Sequence, residues 1–73
     1  MNMSEVARLR EQVAREYEAM ILGLTGFTEG AARHAFISAR LAYVEGYYGE
    51  LAKELGEQQA TQIVCDLYNK ATS

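Results

Sequence analysis

The chain has 73 residues, a formal net charge of −3 and a single cysteine, Cys65. Size scaling gives a folded chain of this mass about 4,500 Å² of accessible surface, with only about 60% of the unfolded surface buried. That excludes more than one domain. With His34 as the sole histidine, an internal disulfide and a four-ligand structural zinc site are excluded as well.

A composition of 49% hydrophobic and 23% charged residues is too apolar for a disordered chain. Ten acids against seven bases make a poor general binder of nucleic acid. The opening Met1-Asn2-Met3-Ser4 lacks a basic start followed by an apolar run. Uninterrupted apolar runs such as Ala19–Leu22 are far too short to span a bilayer. Neither a leader peptide nor a membrane span is expected. An unpaired thiol without an export signal fits the cytoplasm.

Glycines divide the chain into three helical segments. The first is expected over about 4–22, with Ser4 as N-cap and Glu5 in the first turn. Val6, Leu9, Val13, Tyr17, Met20 and Leu24 recur at spacings of three and four, which lays them on one stripe. Arg8, Glu11, Arg15 and Glu18 occupy the other side, with Glu11 and Arg15 placed for an i,i+4 pair. Gly23 and Gly26 then mark a turn. Thr28 is the expected cap of the next helix, with Glu29 and Arg33 as a pair in its first turns.

The second helix is expected over about 29–55, and it is apolar on two faces. Ile37, Leu41, Val44, Tyr48, Leu51 and Leu55 form one heptad stripe. Ala35, Ala39, Ala42, Gly46 and Gly49 repeat at the same spacing on the other side, flanked by Phe36, Tyr43 and Tyr47. Arg33, His34, Ser38, Arg40 and Glu45 are left for water. Gly46 and Gly49 each cost about 1 kcal/mol relative to alanine inside a helix. Either a close helix contact offsets this or the helix ends or kinks near Gly46. Gly56 ends this helix, and the third is expected over about 57–71. Ala60, Ile63, Val64, Leu67 and Ala71 share one face of it, with Asp66–Lys70 as an outer pair.

The expected fold is therefore an all-α three-helix bundle, with short first and third helices around a long central one. A helix with two apolar faces must be covered on both, and a domain this small gains only a few kcal/mol from one core. The expectation is a homodimer in which the second helices pack antiparallel. Ala35, Phe36, Ala39, Ala42, Tyr43, Gly46, Tyr47 and Gly49 are its candidate interface.

Chemistry is hard to find in this sequence. His34 has no cysteine or aspartate close in sequence to make a dyad, and Cys65 is expected to be structural or incidental, not a nucleophile. Glu50, Glu54 and Glu57 lie close in sequence, but no Glu-x-x-His pair suggests a di-iron site. The glycines form neither a phosphate loop nor a dinucleotide fingerprint. No catalytic, cofactor or metal site is expected. A non-catalytic module that binds itself, and perhaps another protein, is the functional expectation.

The alternative is a DNA-binding regulator. Leu51-Ala52-Lys53-Glu54-Leu55-Gly56 resembles the start of a helix-turn-helix extending over 51–64. That resemblance implies a reading helix beginning Glu57-Gln58-Gln59, whose glutamines could contact adenine. It departs at Glu57, where the pattern has an apolar residue, and at Ile63, one place late. Between Glu45 and Asp66 there are five acids against Lys53 alone. In general character the chain resembles the short helical reading frames of bacteria and their mobile elements, without a residue-level motif.

Overall fold

The structure, a computed structural model, describes residues 2–73; Met1, included in the expected single domain, lies outside the described residues. Asn2, not Ser4, begins the first helix, α1 (Met3–Gly26). Its side chain accepts the Glu5 backbone N–H at 3.1 Å, and its carbonyl accepts that of Val6 at 3.0 Å. This satisfies donors that the first turn would otherwise leave open. Arg8 clasps Glu5 at 2.6 Å and holds its carboxyl below the ordinary glutamate range.

The helix continues one turn past its expected end at 22. Gly23 is buried in it, where a Cβ would lie 2.7 Å from the Phe36 ring. The glycine here is a contact, where a turn had been expected. Phe27 stacks on Phe36 at 5.2 Å between centroids, and the Arg33 side chain donates to the Phe27 carbonyl at 2.8 Å. These interactions knit the connection to α2 (Gly30–Leu55). Glu29, not Thr28, occupies the N-cap, with no side-chain cap bond. The expected Glu29–Arg33 pair is replaced by the bond to Phe27.

Helix α2 runs unbroken through Gly46 and Gly49, so it does not end there. Gly56 closes it with φ 89°, a conformation that favours glycine, and donates its N–H to Ala52 at 2.8 Å. The third helix, α3 (Glu57–Thr72), starts at the next residue.

Cross-helix bonds give the layout. The Asn2 N–H reaches Glu54 at 3.3 Å, and Arg40 reaches Glu16 at the same distance, so α1 and α2 run antiparallel. The Tyr48 and Thr61 hydroxyls share a hydrogen bond at 3.0 Å, folding α3 back along α2. Tyr17 and Tyr68 meet edge-to-face at 5.4 Å, so the end of α3 lies beside the second half of α1. All three helices pack on one another within 43 × 22 × 19 Å.

The core lies where the three stripes converge. Val6, Leu9, Val13 and Tyr17 enter from α1, Val44 and Leu51 from α2, and Ala60 from α3. Ile63, Val64, Leu67 and Ala71 pack against them, as the spacing of the third segment predicts. Three stripe residues do not belong, and one of them, Ile37, is partly buried outside the core cluster. Leu24 is 49% exposed, because α3 has already ended beside Ile21 and Leu22 and nothing covers the next turn. Leu41 is 46% exposed. The inward slot between Ile37 and Val44 can be filled by position 40 or 41, and Arg40 takes it.

Leu51→Ala should lower unfolding stability by about 2–5 kcal/mol, because its side chain is fully enclosed. Gly23→Ala should lose about 1 kcal/mol net, with overpacking of about 1–3 kcal/mol exceeding a helix-propensity gain of about 1 kcal/mol. Urea melts of both variants followed by circular dichroism check these values.

Candidate functional site

Two features of the surface stand out once the helices are in place, the polar seam between α1 and α2 and the outer face of α2. The seam centres on Glu16 and Arg40. Their side chains retain only 13% and 28% of their exposure, and they meet at 3.3 Å. The Arg40 guanidinium lies 5.2 Å from the Phe36 ring centre and 4.7 Å from that of Tyr43. It is held by a carboxylate and two aromatic faces, geometry in which arginine outperforms lysine.

Glu16 Oε2 and Arg40 Nε are buried without a hydrogen-bond partner in the chain. Part of the attraction is therefore offset by desolvation. Sequence reasoning missed this pair by placing Arg40 among the solvent-facing residues. Glu16 directly precedes Tyr17 at the edge of the buried stripe, and that position was the available signal. Arg33, also expected in water, is half-buried on Phe27.

The outer face of α2 carries the expected interface residues. Ala35, Ala39, Ala42 and Gly46 are exposed, and Gly49 is half-exposed. A Cβ built on Gly46 or Gly49 would meet nothing within 4 Å. The aromatic flank divides: Tyr47 packs against the core and Phe36 covers Gly23, while Tyr43 remains 51% exposed over Arg40.

A concavity opens between α1 and α3. This groove of 410 Å³ has apolar walls from Ala14, Ile21, Leu22, Leu67 and Ala71, with Glu18 and Lys70 also lining it. Leu22 is 66% exposed there.

The candidate chemical groups stay apart. Cys65 and His34 are exposed on different helices. Among the described residues, no three of His, Cys, Asp and Glu are placed to hold a metal ion. The glutamines of the helix-turn-helix resemblance, Gln58, Gln59 and Gln62, are exposed on α3. Among the described residues the ion pairs are Glu5–Arg8, Glu11–Arg15 and Glu16–Arg40; the expected Asp66–Lys70 pair does not close. No described helix is long and apolar enough to cross a membrane.

Burial, followed by the neighbouring Cys65 and Tyr68, raises the Tyr17 hydroxyl above the ordinary tyrosine range. The unfolded chain releases this proton more readily than the folded one. The corresponding stability is present below the unfolded pKa of about 10 and is lost as pH rises through the folded value. Tyr17→Phe should flatten this alkaline decline, read as the midpoint of urea unfolding between pH 9 and 11.5. For the seam, a double-mutant cycle of Glu16→Ala and Arg40→Ala should give a coupling of about 1 kcal/mol. The exposed Glu11–Arg15 pair, at 2.5 Å, should give only about 0.3–0.5 kcal/mol.

Comparison with known protein families, characterised proteins and solved structures finds no match, so the functional reading rests on the fold and its surfaces.

Proposed function

We propose that this protein is a non-catalytic helical interaction module that associates with a second copy of itself through the outer face of α2. The observation that carries this reading is the alanine and glycine row on α2, where a Cβ built on Gly46 or Gly49 would meet nothing within 4 Å. Alanine and glycine there hold side-chain bulk away from the helix axis. A partner helix can then come nearer than the usual interaxial distance of about 8–10 Å. Close approach would offset the helix-propensity cost of two glycines, which nothing inside the chain offsets.

Half-exposed Tyr43 at the edge of the face adds an aromatic of the kind enriched at interfaces.

The other parts of the proposal follow from what the surface offers. A catalytic role would need convergent polar groups in an enclosed pocket. The one free thiol suits the reducing cytoplasm. A further protein partner would find Leu22 and the α1–α3 groove still available, since no α2 residue lines that groove.

Sedimentation velocity at micromolar concentration tests the proposal. The expected species has twice the chain mass of 8.1 kDa. Single-chain mass throughout the concentration range would end the reading. Gly46→Leu provides the finer measurement, because the space above Gly46 is empty within the chain. Overpacking of a close seam should weaken association by about 1–3 kcal/mol, roughly 5- to 150-fold, while helix content stays unchanged. Unchanged association would move the contact elsewhere. Salt-dependent binding to random duplex DNA would favour the helix-turn-helix reading instead.

A further inference from the structure

We draw no further inference here: the strongest candidate, the 410 Å³ groove between α1 and α3, carries one acid, Glu18, and one base, Lys70, which together select neither an anionic nor a cationic guest, and nothing in the structure shows what covers its apolar walls.

Discussion

Packing of the α1 stripe against α2 is the constraint from which the rest of the molecule follows. Val6, Leu9, Val13 and Tyr17 enter the core on every turn of the first half of α1. Facing them, Val44 and Leu51 anchor the second half of α2. At about 25 cal/mol per Å² of apolar surface removed from water, such a stripe is the chief favourable contribution available to a chain without a disulfide or structural metal. Helix α3 completes that core. The one-residue joint at Gly56 returns it directly along both helices. Ala60 is fully enclosed near that joint because a larger side chain would hold the helices apart.

Apolar burial fixes that the helices associate, but it specifies their register less sharply. Polar and shape-dependent contacts do so along the antiparallel pair. Asn2 and Glu54 meet at one end, Glu16 and Arg40 in the middle, and Gly23 and Phe36 near the other. A slip of one helical turn, about 5.4 Å, would separate Glu16 from Arg40 and press a larger residue onto Phe36. The half-buried ion pair thus contributes to specificity even where desolvation offsets much of its attraction. Phe27, Phe36 and Arg33 hold the far end, which α3 does not reach.

This division of labour leaves α2 asymmetric. Its inner face is occupied by two helices, and its outer face presents alanine and glycine to the surroundings. A solitary helix surface usually bears charge there. Between Gly30 and Val44, the charged residues are Arg33 and Arg40, and both turn toward neighbours in the chain. Along this stretch the outer face is poor in both side-chain bulk and charge, while Glu45, Glu50 and Lys53 are exposed beside Gly46 and Gly49 farther along α2. The groove on the other side is different in kind, with large apolar walls and a mixed pair of charges.

Three helices, the glycine stop at residue 56 and the inner faces of α1 and α3 were legible from the sequence. Each follows from local propensity or from three-and-four spacing, which a single helix expresses without its neighbours. The exposed small-residue row on α2 was legible for the same reason. Tertiary structure decided the rest. Gly23 and Gly26 looked like punctuation because glycine is a weak helix former, yet Gly23 remains helical where the Phe36 ring leaves no room for a side chain. Arg40 looked solvated because it is charged, yet it displaced Leu41 from the inward slot because Glu16 lies across the seam and the Phe36 and Tyr43 rings flank it on its own helix. Leu24 kept its heptad position and lost its cover because α3 ends a turn too soon. Spacing assigns a residue to a side of its own helix; the length and side chains of the neighbouring helices determine whether that side is covered.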